Sequence, residues 1–359
     1  MSNSIGRCPV PSPGPLPRLA TPILLVAALL AVASGAGCQS RPPLSAFHWL
    51  DPAADVPGPA VPEALARDGY RDLRAELRPG DVIMGARTDP TSALMRLAMD
   101  EYSYYTHSGI VDVRDGEVVV SHASGRFRLF RRSPHLLGKV VGTVAAIDLE
   151  DFIREYHDVR VVRLPDPVKN RRLVAIARAC EAKELPFDPF FDTLDPFRLH
   201  CSEYTLRATR AAGYGGPVDL ARRTPNHSMA NLLRRLGVET DYFVNVDRFA
   251  AIPGATVVAE ISRFDRPETA TALVEAFRVM HERVCGDPDM HVRDLVGCSP
   301  ERLMHFTPPA EVYLRGAIGL AEASPTRDPL EVRERSELLY DLICGERVQS
   351  TSAAETLSP

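Results

Sequence analysis

A β-hairpin around Asp115 and Gly116 is the sequence feature that most limits how this chain can fold. Residues 108–113 and 117–121 are short runs rich in valine and isoleucine, and the Asp-Gly pair lies between them. A glycine at the second position of such a turn supplies the positive φ that a tight hairpin needs. These two paired strands predict an antiparallel sheet.

Three more hydrophobic segments extend this sheet. Residues 81–84 follow a Pro-Gly turn, and residues 139–147 and 159–164 are apolar runs of strand length. Apolar spacing of three and four residues predicts helices over 91–99 and 170–183. The chain is therefore expected to have an α+β fold, in which a small antiparallel sheet packs on helices.

The composition excludes one large class of function. The chain has 359 residues, of which 45% are hydrophobic and 25% are charged, so it is long enough to form a hydrophobic core. The formal net charge is -5. Nucleic-acid binding requires a concentrated basic face, which this balance does not provide. We expect no nucleic-acid partner.

The N-terminal segment is typical of an exported protein. Residues 1–37 combine two arginines, an apolar run over 23–33 that is too short to span a bilayer, and small residues over 34–37. Cys38 follows these small residues directly, as in the lipobox of bacterial lipoproteins, although Gly35 occupies a position where an aliphatic residue is usual. We predict a signal peptide over 1–37 and lipidation of Cys38.

Residues 38–67 are rich in proline, alanine and aspartate, which predicts a flexible tether between the lipid and the folded domain. The protein is then expected to be anchored in the cell envelope. Gln39 stands where aspartate would favour the inner membrane, so the outer membrane, facing the periplasm, is expected in a Gram-negative host.

The cysteines are interpreted in this oxidising compartment. Of seven, Cys8 leaves with the signal peptide and Cys38 carries lipid. An odd number remains, so at least one thiol is free or pairs between chains. The remaining cysteines are Cys180, Cys201, Cys285, Cys298 and Cys344.

The C-terminal cysteines allow two interpretations. One is a disulfide among Cys285, Cys298 and Cys344. The other is a zinc site formed by His281, Cys285, His291 and Cys298, which is less favoured because the spacings are not those of a common zinc module. No metal or other cofactor is expected.

One cysteine is placed for chemistry. Residues 201–208 predict a helix that begins at Cys201 and ends before Gly213, and the partial positive charge at a helix start favours a thiolate. We therefore expect Cys201 to be reactive, with a pKa below that of an ordinary thiol. Glu203 is expected to offset the helix dipole or to make a local hydrogen bond.

Two histidines lie on the predicted hairpin. His107 begins its first strand, and His122 lies on its second strand. Successive side chains of a strand point to opposite faces, so only one of Ser121 and His122 can face a site that contains His107.

Three motifs together resemble the permuted papain-like enzymes of the YiiX and YaeF type, relatives of NlpC-type cell-wall peptidases and of lecithin retinol acyltransferase. They are Pro-Gly-Asp at 79–81, His-Ser-Gly-Ile-Val at 107–111 and Cys-Ser-Glu at 201–203, with the histidine before the cysteine. The resemblance covers roughly residues 77–236.

The resemblance implies a circularly permuted papain-like core over 68–250 with the nucleophile on a helix. A helical extension over 251–345, with helices at 266–284 and 327–343, and a disordered tail over 346–359 are expected to follow.

The resemblance also implies roles. Cys201 would attack a carbonyl carbon, and His107 would act as the base. His122 would fix the imidazole tautomer, where many relatives have glutamate; Ser121 and Glu117 remain open for this role.

Further residues would support the site. Asp188, preceded by Phe187, would support the active-site loop. The N–H of Cys201 would hold the oxyanion, helped by Tyr102, Tyr104 or Tyr105.

The function predicted from this resemblance is a cysteine hydrolase of the cell envelope, named by default as an amidase or peptidase. A thioesterase or acyltransferase acting on lipid acyl groups uses the same apparatus. The alternatives are a non-catalytic lipoprotein that binds lipid or peptide along the phenylalanine-rich loop 187–197, and a metal-binding protein. The expected partners are a small-molecule, peptide or lipid acyl substrate, and the membrane through the lipid anchor.

Overall fold

The computed structural model describes residues 48–49, 69–128, 139–156, 158–188, 197–215, 220–235, 240–264, 266–297 and 305–345, together with residues 191, 193, 195 and 238. The predicted signal peptide, Cys38 and the predicted tail over 346–359 lie outside these residues. Within the predicted flexible tether over 38–67, His48 and Trp49 form a short strand instead, because they pair with Ser262 and Ile261. Within the described ranges, no helix is both long and apolar enough to cross a bilayer.

The strands form a large sheet and two small ones. In chain order they are β1 (His48–Trp49), β2 (Val82–Ala86), β3 (His107–Arg114), β4 (Glu117–Arg128), β5 (Lys139–Asp148), β6 (Asp158–Arg163), β7 (Leu220–Arg222), β8 (Tyr242–Val244), β9 (Thr256–Ser262), β10 (Val296–Gly297) and β11 (His305–Phe306). The large sheet has the order β1-β9-β6-β2-β3-β4-β5, and its neighbouring strands are antiparallel.

The helices lie on both faces of the large sheet. In chain order they are α1 (Gly69–Glu76), α2 (Pro90–Leu97), α3 (Leu149–Glu155), α4 (Pro167–Ala182), α5 (Cys201–Ala212), α6 (His227–Arg235), α7 (Pro267–Gly286), α8 (Pro308–Ala323) and α9 (Pro329–Tyr340). The predicted α+β class with an antiparallel sheet is confirmed.

The predicted hairpin is β3 and β4. Asp115 and Gly116 form its turn with φ values of 52° and 82°, and Arg114 pairs with Glu117 across it. The positive φ at both turn positions is what the Asp-Gly pair predicts. This turn sets the register that brings Ile110 opposite Ser121.

Asp-Pro pairs begin three of the helices. At 89–90, 166–167 and 328–329, the aspartate caps the helix through its side chain and the proline occupies the first turn. The carboxylate accepts bonds from N–H groups that have no partner within the helix, and proline has no N–H to satisfy. Helices α2 and α4 therefore begin a residue or more before the predicted segments 91–99 and 170–183.

Alternation along the strands produces two separate cores. Ile110 and Ala123 belong to a hydrophobic cluster that also contains residues of α4 and α5, and this side is the α5 face. Val111 and Val120 belong to a second cluster that contains Phe152 of α3, and this side is the α3 face. The two sides of one hairpin thus contact different helices.

The segment after residue 250 is part of the main fold. Strand β9 pairs with β6, and its Ala259 and Ile261 lie in the cluster of the α3 face. On the other face, Phe277 of α7 joins the cluster that contains α5 residues. The predicted helical extension over 251–345 therefore begins with a strand of the sheet, because pairing with β6 satisfies its backbone.

Candidate functional site

Helix α5 begins at Cys201 because a capping box closes its first turn. His200 is the N-cap residue; its Nδ1 accepts a bond of 3.4 Å from the N–H of Glu203, and the Glu203 carboxylate accepts one of 3.4 Å from the N–H of His200. Two of the unpaired donors of the helix start are satisfied in this way. The expected local hydrogen bond of Glu203 is confirmed.

The thiol of Cys201 is buried at the point where β3 begins. The residue is 7% exposed, and its Sγ donates a hydrogen bond of 3.8 Å to the carbonyl oxygen of Thr106. Burial raises the pKa of Cys201 to about 11, although the N–H groups of Ser202 and Ser108 favour the thiolate. This direction is opposite to the one expected from the helix N-terminus, because desolvation of the thiolate outweighs the nearby donors.

His107 and His122 form a buried pair on the α3 face. The Nε2 atom of His107 lies 2.8 Å from Nδ1 of His122, so one of these two nitrogens carries the shared proton. Burial, followed by the nearby charges of His122 and Arg87, holds the pKa of His107 well below its usual range. His107 is therefore a neutral imidazole at neutral pH.

The three residues predicted for the third position have different surroundings. His122 contacts His107, whereas the Ser121 hydroxyl lies 2.6 Å from the Tyr204 hydroxyl on α5. Glu117 forms an ion pair with Arg74. Of these three candidates, the structure places His122 against His107.

Aromatic rings enclose the histidine pair. The Tyr156 ring stacks on the His107 ring with centroids 4.9 Å apart, and Phe152 contacts both histidines. Burial raises the pKa of Tyr156, and charges at Glu155 and Cys201 raise it further, so Tyr156 is near the thiol as well. Phe152 and Tyr156 were not predicted from the sequence. Their spacing of four residues, about one helical turn, indicates that the two rings lie on the same side.

Two glycines make room for this cluster. A Cβ atom on Gly85 would lie 2.5 Å from the Tyr156 ring, and one on Gly109 would lie 3.2 Å from the Cβ of His122. Gly85 is paired with His107 across β2 and β3. The glycine of the His-Ser-Gly motif therefore allows residues 120–122 of β4 to lie close to β3.

The structure brings the histidines together but does not bond them to the cysteine. The His107 side chain faces α3, whereas the adjacent Ser108 hydroxyl donates to Thr205 of α5 at 3.0 Å. Among the described residues, His107 is hydrogen-bonded to His122, and the Cys201 thiol to Thr106. Cys201 thus lies beside the backbone that carries His107, with no direct Cys201–His107 hydrogen bond.

The tyrosines expected to help hold an oxyanion have other roles. The Tyr102 hydroxyl donates to the carbonyl of Val274 at 2.8 Å, and the Tyr104 hydroxyl donates to Asp158. The Tyr105 ring lies under the Arg160 guanidinium, 5.1 Å from its centroid. Tyr102 and Tyr104 are therefore not available for an oxyanion in this arrangement, because burial commits their hydroxyls to other acceptors.

Asp188 lies at the base of the loop before α5. Its N–H donates to the carbonyl of Leu199 at 3.1 Å, and the N–H of Phe187 donates to Gly142 at 2.9 Å. Burial raises the pKa of Glu203 to about 7; Arg207 and the His200 N–H lower it, and the nearby Asp188 raises it. Asp188 thus lies beside the first turn of α5.

Two of the three cysteines of the predicted disulfide group lie in the described region. Cys285 and Cys344 are not joined by a disulfide, and Cys298 lies outside the described residues. Cys285 Sγ lies 3.5 Å from Nε2 of His281 on the same helix. Within the described ranges, no group of three or more His, Cys, Asp and Glu side chains is arranged to hold a metal ion.

The N-cap histidine has a testable effect on acid stability. Burial and then the charge of Arg207 lower the pKa of His200 to about 3, against an ordinary 6.5, so below pH 6.5 the unfolded chain binds this proton and the folded chain does not. Stability therefore falls as the pH drops from 6.5 towards 3, by about 1.4 kcal/mol per pH unit for one proton. His200→Asn, which keeps a good N-cap, should remove this part of the slope.

Urea unfolding followed at several pH values between about 4.5 and about 6.5 measures this slope. His227→Asn is the matched control, because His227 is exposed and lies beside Asp289. An unchanged slope in His200→Asn would show that His200 is protonated in the folded protein.

Comparison with known proteins gives a distant structural likeness. Neither the family models nor the curated proteins match this chain. Among solved structures, the metalloprotein YiiX from Escherichia coli O157:H7 is similar with a TM-score of 0.41 and 19% identity, over 51% of this chain and 97% of that one.

Proposed function

We propose that this protein is a cysteine hydrolase of the cell envelope with a permuted papain-like core, in which Cys201 is the nucleophile and His107 the base. The observation that carries the proposal is the position of the Cys201 thiol. It lies at the start of a capped helix, 3.8 Å from the carbonyl of the residue that precedes His107, and His107 is oriented by His122.

The reaction would proceed by acyl transfer. His107 takes the thiol proton as the sulfur bonds to the substrate carbonyl carbon, and the imidazolium gives that proton to the leaving amine or alkoxide as its bond to carbon breaks. The resulting thioester is attacked by water, which gives a proton to His107. The thioester C–S bond then breaks, the acid is released and Cys201 regains its proton.

The electrostatics support general-base catalysis rather than a preformed ion pair. The pKa of Cys201 is raised to about 11 and that of His107 lies well below its usual range, so both groups are neutral at rest. The Nε2 atom of His107 is hydrogen-bonded to His122, so its Nδ1 atom would accept the thiol proton. The Cys201 side chain must rotate away from the Thr106 carbonyl to donate a hydrogen bond to this nitrogen. Catalytic hydrogen bonds of this kind often form only when substrate binds.

The oxyanion would be held by backbone groups. The N–H groups of Cys201, Ser202 and Ser108 act on the sulfur and favour its anionic form. The same donors can stabilise negative charge on a substrate oxygen bound next to the sulfur.

The substrate and location extend this proposal. An amide or peptide substrate is the default, and a thioester or lipid ester would use the same atoms. Lipidation at Cys38 and the tether that follows it would keep the enzyme at the membrane, within reach of both cell-wall peptides and lipids.

A trapped acyl-enzyme tests the proposal. The purified protein is mixed with p-nitrophenyl butyrate, quenched in acid and analysed by mass spectrometry. We expect one butyryl group on Cys201 that hydroxylamine removes, and none on Cys201→Ala. Cys180→Ala is the matched control, because Cys180 is a half-buried thiol on α4 rather than on α5. Equal ester hydrolysis by wild type and Cys201→Ala would refute the proposal.

A second candidate is a non-catalytic lipoprotein that binds lipid or peptide. It is favoured by one observation, the bond of the buried thiol to Thr106 rather than to His107. A binding protein would form no butyryl-enzyme, so the same trapping experiment separates the two candidates.

A further inference from the structure

Two arginines leave the large sheet at the end where His107 begins β3. Arg87 follows β2 and Arg263 follows β9. Asp158, the first residue of β6, pairs with Ala86 on one side and with Ser262 on the other. The two arginines therefore flank the start of β6 at the same end of the sheet.

Charge links Arg263 to the end of the sheet where His107 lies. The charge of Arg87 lowers the pKa of His107, after the larger effects of burial and of His122. Burial also lowers the pKa of Arg263, the charge of Asp158 raises it, and the charge of Arg87 lowers it further.

The two guanidinium groups differ in their partners. Arg87 pairs with Asp89 at 2.9 Å and with Glu155 at 3.8 Å. Arg263 is half-buried, and no described side chain or backbone oxygen pairs with it or accepts a hydrogen bond from it. A partly desolvated charge without a partner is unfavourable, so a group from outside the chain would stabilise it.

The charge of Asp158 acts on Arg263, but Asp158 forms no hydrogen bond or ion pair with it in the described part of the chain. Asp158 is buried, accepts hydrogen bonds from Tyr104 and Ser262, and has its pKa raised to about 6 by burial. Its oxygens are thus committed to two hydroxyl groups, and part of its charge is lost near neutral pH.

We infer that Arg263 is a specificity-determining residue that binds an anionic group, a carboxylate or a phosphate, on the substrate attacked by Cys201. This inference rests on the proposed hydrolase function. A guanidinium presents a planar fork of N–H donors that matches either anion, and Arg87 adds positive charge beside it. The acyl carbon lies at the thiol, and the anionic group lies past Tyr156 and Arg87 at the same end of the sheet.

A pair of esters tests this role by kinetics. The full-length protein is assayed with neutral p-nitrophenyl butyrate and with mono-p-nitrophenyl glutarate, which carries a free carboxylate. For Arg263→Gln we expect KM for the glutarate ester to rise about tenfold, the usual effect of losing a charge-assisted bond, with kcat unchanged. Both parameters for the butyrate ester should stay the same.

Arg263→Lys should give an intermediate KM for the glutarate ester, because lysine keeps the positive charge but lacks the planar set of N–H donors. Arg315→Gln is the matched control, since Arg315 is exposed on α8 and pairs with Glu311. An equal change for both esters, or no change for either, would overturn the inference while leaving Cys201-dependent hydrolysis intact.

A binding measurement does not depend on catalysis. The melting temperature of Cys201→Ala is measured with glutarate and with glycerol phosphate, against chloride at equal ionic strength. We expect at least one of them to raise it, and the rise to disappear in the Cys201→Ala, Arg263→Gln double variant. A rise with glutarate alone indicates a carboxylate substrate, and one with glycerol phosphate alone indicates a phosphate. Equal behaviour of the two variants would refute an anion site at Arg263, whether or not the protein is a hydrolase.

Discussion

Replacing His107 with alanine should lower kcat/KM for p-nitrophenyl butyrate by a factor of about 10²–10⁴, the contribution typical of a positioned general base. The loss is expected because the Cys201 thiol, with a pKa of about 11, contains almost no thiolate at neutral pH and needs a proton acceptor. His122→Ala should cause a smaller loss, since His122 orients the imidazole without taking the thiol proton.

The pH profile of kcat/KM supplies a second readout of the same base. Because the pKa of His107 lies well below 6.5, activity should stay constant as the pH falls through 6.5 and decline only at lower pH, when the imidazole becomes protonated. His227→Ala, an exposed histidine far from β3 in sequence, is the control and should leave the profile unchanged. Full activity in His107→Ala would exclude His107 as the base.

Replacing Arg96 with alanine should lower the free energy of unfolding by about 3–5 kcal/mol, through a cavity and two carbonyls left without their donors. The Arg96 side chain is 1% exposed. Its guanidinium donates to the carbonyl of Tyr104 at 2.9 Å and to that of Arg87 at 2.8 Å. It also packs against the rings of Tyr104 and Phe277.

This variant should affect the site as well as stability. The two carbonyls belong to the segments that enter β3 and leave β2, so Arg96 ties α2 to the sheet end that carries His107. Urea unfolding with circular dichroism gives the stability change. Arg315→Ala is the matched surface control, with an expected change within about 0.5 kcal/mol. A change of that small size in Arg96→Ala would show that water or a neighbouring donor replaces the guanidinium.

Local sequence signals predicted several elements well. The Asp-Gly pair predicted the hairpin of β3 and β4, and the run after His200 predicted a helix that begins at Cys201. Strand alternation predicted that Ser121 and His122 face opposite sides, and they do. Each of these features depends on residues close together in the chain, which is why the sequence alone contains them.

Other features could not be predicted because they depend on contacts between residues far apart in the chain. The predicted extension after residue 250 begins with β9, because its partner β6 lies far earlier in the chain. The low pKa expected for Cys201 neglected its burial. The oxyanion role expected for Tyr102 and Tyr104 also neglected burial, because their hydroxyls donate hydrogen bonds to acceptors on α7 and β6.

The sequence by itself therefore determined the α+β class, the hairpin that carries both histidines and the helix that begins with the cysteine. Only the tertiary structure decided that Tyr156 covers His107, that burial keeps the thiol and the imidazole neutral, and that Arg263 is half-buried with no hydrogen bond or ion pair to another described residue. The physical reason is that propensity and periodicity act over a few neighbouring residues, whereas burial and charge depend on contacts between elements far apart in the chain.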